Sequence, residues 1–195
     1  MANNVSQASV KIEGTRPLIW HAFKPESIPL ERREKTGVAG NDPEEWKKTV
    51  LFNPETRQLY ILSTYVFAAI RDGSKYTKKG RGTYQPMVTA TLVIEEEIIY
   101  MDNLSLPLEP PTNTQEPVYI DIRGVRNPVT KGVNVRYRVA CKAGWTCGFH
   151  LIWDNTIVPN NIMQACIIDA GRFAGIGNGR GIGMGRFKLT EFTLL

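Results

Sequence analysis

The sequence predicts an α+β fold: a ferredoxin-like (RRM-like) β-α-β-β-α-β core with insertions and an antiparallel sheet. Three observations carry this. Apolar and polar residues alternate at 9–12, 118–125, 133–139 and 186–192, the period of half-buried strands. Two apolar segments, 64–71 and 162–170, follow polar residues able to cap a helix. Their order along the chain is strand, helix, strands, helix, glycine run, strand.

In order, residues 9–12 read as a short first strand, and an apolar patch at 15–23 is interrupted by Pro17. Pro25 and Pro29 break any regular element, and the charged stretch 24–40 reads as an exposed loop. Residues 42–48 carry Asp42, Pro43, early acids and late lysines, the charge order that complements a helix dipole. A brief strand at 57–62 leads to a helix capped by Ser63 and stopped at Gly73. Two apolar runs, 88–94 and 98–100, flank Glu95, Glu96 and Glu97, which read as a charged strand end or turn. Four prolines make 104–117 irregular. Residues 118–125 and 133–139 form a hairpin around Asn127 and Pro128, with Asn134, Arg136 and Arg138 on one face. The strand at 145–153 joins them in one antiparallel group. Asn160 or Asn161 caps the second helix, whose apolar positions 162, 163, 166, 167 and 170 share one face. Residues 186–192 close the sheet. One domain spanning 1–195 is expected, with inserted loops around 24–58, 71–86 and 103–117.

The 195 residues are 42% hydrophobic and 22% charged, as in ordinary soluble domains, with a formal net charge of +5. That excess of cations favours a polyanionic partner. No stretch approaches the ~20 apolar residues of a membrane span, and the start has no signal-peptide pattern. A cytoplasmic protein with no membrane partner is expected. Cys141, Cys147 and Cys166 show no C-x-x-C spacing and read as free thiols; with His21 and His150 the only histidines, no metal or other cofactor is expected.

Two stretches stand out. Six glycines occupy every second position from Gly175 to Gly185, with Arg172, Arg180 and Arg186 in or beside the run. Residues 71–84 interleave five cations with Tyr76, Tyr84 and three glycines. Cations there can meet phosphates, and tyrosine can stack on an unpaired base. The glycine run follows a helix and feeds a strand, the reverse of a dinucleotide fingerprint, so a Rossmann site is excluded. No Walker A loop and no Gly-x-Ser-x-Gly elbow is present. His21 is the one candidate acid–base residue, for a metal-independent ribonuclease. Its apolar neighbours favour an ordinary, partly buried histidine, and His150 reads as structural or surface-facing.

A glycine-rich loop after the second helix resembles the RAMP superfamily of CRISPR proteins, particularly its crRNA-binding backbone subunits. Thr15-Arg-Pro-Leu-Ile-Trp-His21, together with Ala174-Gly-Ile-Gly-Asn-Gly-Arg-Gly-Ile-Gly-Met-Gly-Arg-Phe187, also resembles a family of small, uncharacterised bacteriophage and prophage proteins. The resemblance implies a RAMP-like domain whose glycine loop contacts a nucleic-acid backbone or a neighbouring subunit. The same glycines can instead serve tight packing. Residues 75–81 match the thumb-like insertion of backbone subunits by position and charge, and a histidine near the N-terminus cleaves RNA in some relatives.

The expected function is non-enzymatic binding of single-stranded RNA or DNA by a protein of phage or mobile-element origin. It would assemble as a homo-oligomer or with related subunits. Candidate contacts are Lys75, Tyr76, Lys78, Lys79 and Arg81 in the basic stretch. Arg172, Gly177, Gly179, Arg180, Gly181, Gly183 and Arg186 are those at the glycine run. A self-assembling protein without a nucleic-acid role, and a ribonuclease using His21, are the alternatives.

Overall fold

The computed structural model describes residues 4–23, 42–126, 129 and 131–195. The expected loop at 24–40, with Pro25 and Pro29, and the turn at Asn127 and Pro128 lie outside the described residues.

The chain opens with β1 (Val5–Gly14), which buries Ala8, Val10 and Ile12 on one face as its alternation predicts. After β2 (Leu18–Ile19) comes α1 (Glu45–Thr49), entered through Asp42, whose Oδ1 accepts the Glu44 N–H at 3.0 Å. β3 (Gln58–Leu62) then runs directly into α2 (Ser63–Gly73). Ser63 lies inside that helix rather than capping it, because its N–H is engaged by the Glu97 carbonyl at 3.0 Å. The basic stretch folds as a small hairpin, β4 (Lys78–Lys79) and β5 (Gly82–Thr83).

The apolar run at 88–94 is mostly helical: α3 (Gln85–Thr91) precedes the short β6 (Val93–Ile94). Pro86 is set for a first helical turn, and the hydroxyls of Thr89 and Thr91 donate to the Gln85 and Met87 carbonyls one turn back. Then follow β7 (Ile98–Ser105), β8 (Val118–Arg126), β9 (Val133–Cys141) and β10 (Thr146–Asp154). α4 (Asn160–Asp169) begins after Pro159, whose carbonyl accepts the amides of Ile162 and Met163, both at 2.9 Å. Neither Asn160 nor Asn161 caps it with a side chain. A π-helical turn (Ala170–Ala174), a 3-10 turn (Arg180–Ile182) and β11 (Phe187–Leu194) complete the chain.

The architecture is α+β with antiparallel sheets. The main sheet runs β11-β1-β10-β7-β3, with β6 also pairing β10. A second sheet runs β2-β9-β8. The expected grouping of 145–153 with the hairpin is therefore corrected: β10 leaves it and pairs β1 along its full length, Val5 opposite Asp154 through Glu13 opposite Thr146. The crossover is pinned by Trp145, whose indole N–H donates to the Arg16 carbonyl at 2.8 Å while its own carbonyl accepts the Gly14 N–H at 2.7 Å.

α2 and α4 pack together behind the main sheet, and Val66, Ile70, Met163, Cys166 and Ile167 share one core with Val10, Ile12, Phe149, Leu151 and Trp153. All three cysteines are buried free thiols. Burial pushes Cys141 up to about 12 and Cys166 up to about 11. Among the described residues no helix is long and apolar enough to cross a membrane.

Candidate nucleic-acid interface

The glycine run divides into a packed base and an open tip. At the base, the Ile176 N–H donates to the Gly185 carbonyl at 2.9 Å, and the Gly185 N–H to the Pro17 carbonyl at 2.7 Å. Gly177 lies against residues 18 and 19: a Cβ there would meet Leu18 Cδ1 at 2.6 Å and the Ile19 carbonyl oxygen at 2.8 Å. The Asn178 N–H donates to that same carbonyl at 2.8 Å. Met184 packs on Ile19, Tyr119 and Ala140, so the loop is stapled to the second sheet. At the tip, Gly181 and Gly183 have open space where a side chain would stand, Ile182 is exposed, and Gly179 touches only side chains of its own loop. Glycine at 177 and 185 thus serves close backbone approach, while Gly181, Ile182 and Gly183 form the open tip.

Arg180 does not reach freely into solvent. Its Nη1 donates to Asp72 Oδ2 at 3.1 Å, and Arg71 holds the other carboxylate oxygen at 2.9 Å. This ties the glycine loop to the end of α2. The seam continues where Gly73 meets the backbone of Ala170 and where Thr77 Oγ1 donates to Asp169 Oδ2 at 2.8 Å. The two stretches singled out in the sequence are therefore neighbours in space. Lys75, Tyr76, Lys78, Lys79 and Arg81 are all exposed beside this seam. Tyr76 meets Phe173 of the π-helical turn, with ring centroids 4.7 Å apart. The sequence did not single out Phe173.

Next to the seam lies a groove of about 780 Å³ between α4, the π-helical turn and β11. Its lining brings together Arg172 and Arg186, two of the candidate contacts, with Arg16 and Lys188, which the sequence did not single out. The one acid among its described lining residues is Glu191, and it is paired with Lys11 at 3.0 Å. Arg16 and Arg172 have no ion pair among the described residues, and Lys188 bonds Glu13 only at the surface, at 3.0 Å. Arg186 Nη1 is buried with no hydrogen-bond partner among the described residues. A desolvated guanidinium donor left unpaired is costly. Leu189, Phe192 and Ile168 supply apolar walls.

His21 is placed elsewhere, beside α1 and β9, and it does not line the groove. Glu45 pairs with Arg136 there, and Arg138 bonds Asp121 at 3.1 Å and Asn178 Oδ1 at 2.6 Å. The His21 Nδ1 atom is buried without a partner among the described residues. Burial holds the imidazole below its ordinary pKa; Glu45 opposes this, while Arg136 and Arg138 add to it. The unfolded chain therefore binds the proton more readily. Stability contributed by neutral His21 is full above pH 6.5 and is lost as pH falls from 6.5 toward the folded value. We expect the melting temperature to decline over that range, and His21→Gln to flatten the decline.

His150, on the opposite face of the main sheet, bonds Glu96 through Nδ1 at 2.6 Å, and its N–H donates to the same carboxylate. Among the described residues no three His, Cys, Asp or Glu side chains gather as a metal site would require.

No family model matches the chain, and no curated protein is similar to it in sequence. Among solved structures, it is similar to a chain in the cryo-EM structure of the type III-B Cmr-beta complex bound to cognate target RNA, with a TM-score of 0.52 at 11% identity. The match covers 98% of this chain and 61% of that one. The likeness shows that this chain shares its fold with that chain.

Proposed function

We propose that this protein is a non-enzymatic, RAMP-like subunit that binds the backbone of single-stranded nucleic acid, RNA or DNA. The carrying observation is the groove, whose lining includes Arg16, Arg172, Arg186 and Lys188, with one buried guanidinium donor of Arg186 lacking a partner among the described residues. Lys75, Lys78, Lys79 and Arg81 extend the cationic surface beyond the seam. The fold supports the same reading. We take β1, α2, β6 with β7, β10, α4 and β11 as the β-α-β-β-α-β frame, since β11-β1-β10-β7 is the strand order of that frame. The structural neighbour is a chain of an assembly bound to target RNA, which supports partner subunits and a ribonucleic ligand here. Origin in a phage or mobile element belongs to the same reading.

The test is the affinity for a fluorescent single-stranded oligonucleotide at rising salt. The log–log slope should be about −0.7 for each phosphate neutralised. Replacing Arg172 and Arg186 together by glutamate should weaken binding by at least about tenfold and flatten the slope by about 0.7 for each contact removed. Absence of binding at low salt, or binding indifferent to salt, would sink the proposal. Large oligomers that purify free of nucleic acid would favour self-assembly alone.

One observation favours a second reading, metal-independent RNA cleavage: His21 has its pKa lowered by burial and its Nδ1 lacks a partner among the described residues, near Glu45, Arg136 and Arg138. Cleavage that survives chelator and vanishes in His21→Ala would carry that reading; cleavage unchanged in the variant would dismiss it.

A further inference from the structure

We infer that Tyr76 and Phe173 form a stacking platform for one unpaired nucleobase, set beside the groove that takes the adjoining phosphates. The inference deepens the nucleic-acid reading above and rests on it.

The two rings are 44% and 47% exposed, and they meet at 44° with centroids 4.7 Å apart. An aromatic pair completed in the core would be buried; this one keeps about half its surface in water. Its position is nevertheless fixed. Gly73 against Ala170, Thr77 against Asp169, and Asp72 against Arg180 tie the two parent segments together on both sides of the pair. A platform already ordered loses little entropy when a ligand arrives.

The π-helical turn explains the orientation. Its Gly175 N–H reaches back five residues to the Ala170 carbonyl at 2.8 Å, so one more residue is accommodated than in an α-turn. That places Arg172 in the groove lining and its neighbour Phe173 on Tyr76. Lys75 Nζ stands 5.0 Å from the Tyr76 ring centroid. A π surface with Lys75 over the Tyr76 ring and Arg172 next to Phe173 in the chain suits a base with a phosphate nearby, and every base has a π face. A duplex offers no free base face without unstacking. An apolar protein partner would have to bury Lys75 and Arg172 without counter-charges, which is costly.

The test uses single-stranded oligoribonucleotides and oligodeoxyribonucleotides carrying one 2-aminopurine, with the matching duplex as comparison. Wild-type protein should quench the 2-aminopurine in the single strand. Phe173→Ala should abolish the quench and weaken single-strand affinity about tenfold, with the salt slope unchanged. Phe173→Trp should restore both. Arg172→Ala should do the reverse, keeping the quench while reducing the salt slope by about 0.7. Quenching of both strand types assigns an unpaired base irrespective of sugar, and quenching of one identifies which nucleic acid is the ligand. Salt-dependent binding with no quench in the wild type overturns the platform alone. So does a Phe173→Ala loss that is equal for duplex and single strand. No salt-dependent binding at all overturns the platform and the function beneath it.

Discussion

Gly185→Ala should lower the stability of the fold by about 3–4 kcal/mol, while Gly181→Ala should change it by no more than about 0.5 kcal/mol. Gly185 has φ +66°, and a Cβ there would land on the carbonyl of Ile176, which is backbone and has no rotamer by which to move. Left-handed strain accounts for about 1–2 kcal/mol. Separating the strands of the loop base adds the bonds from Ile176 to Gly185 and from Gly185 to Pro17, each worth about 1 kcal/mol. Gly181 has neither a positive φ nor a neighbour within 4 Å. In a domain of this size the first change should move the melting midpoint by roughly 10 °C. Equal effects at the two positions would show that the division of the loop into packed base and open tip is wrong.

That division separates what the sequence could and could not disclose. Alternate spacing of glycines marks a chain that must turn repeatedly, and the helix-then-strand order excludes a nucleotide loop. Which glycines pack and which face outward depends on residues 15–19, distant in sequence, so spacing is silent on it. Phe173 was hidden for a different reason. It falls three residues after Ala170 and fits the apolar stripe of α4, but the added residue of the π-turn rotates it to the surface. β10 illustrates a third limit: alternation reports that a strand is half-buried without saying which strand it pairs. The basic stretch, by contrast, was legible, because five cations with glycines cannot be buried in any fold.

The second large effect lies beneath the glycine loop. Arg138 and Asp121 are opposite one another in β9 and β8, 5% and 4% exposed, and bonded at 3.1 Å. Arg138→Met should cost about 3–5 kcal/mol, because it leaves a carboxylate in the core with a single cation, Arg123, at its edge. Asp121→Leu in the same chain should recover most of the loss, since two apolar residues of similar bulk need no counter-charge. If the double variant is as unstable as the single one, the cost is one of packing rather than charge. The pair also has a second duty, because the other arm of Arg138 holds Asn178 Oδ1 at 2.6 Å, at the point where the glycine loop crosses Ile19. The double variant should therefore regain its melting temperature yet keep faster amide exchange at Asn178 and Gly185. Its affinity for single-stranded nucleic acid should stay reduced, because Arg186 follows directly on the loop base. Stability and loop order would then separate in one molecule. That places the buried ion pair in the service of the groove, since apolar replacements supply the stability but leave Asn178 unheld.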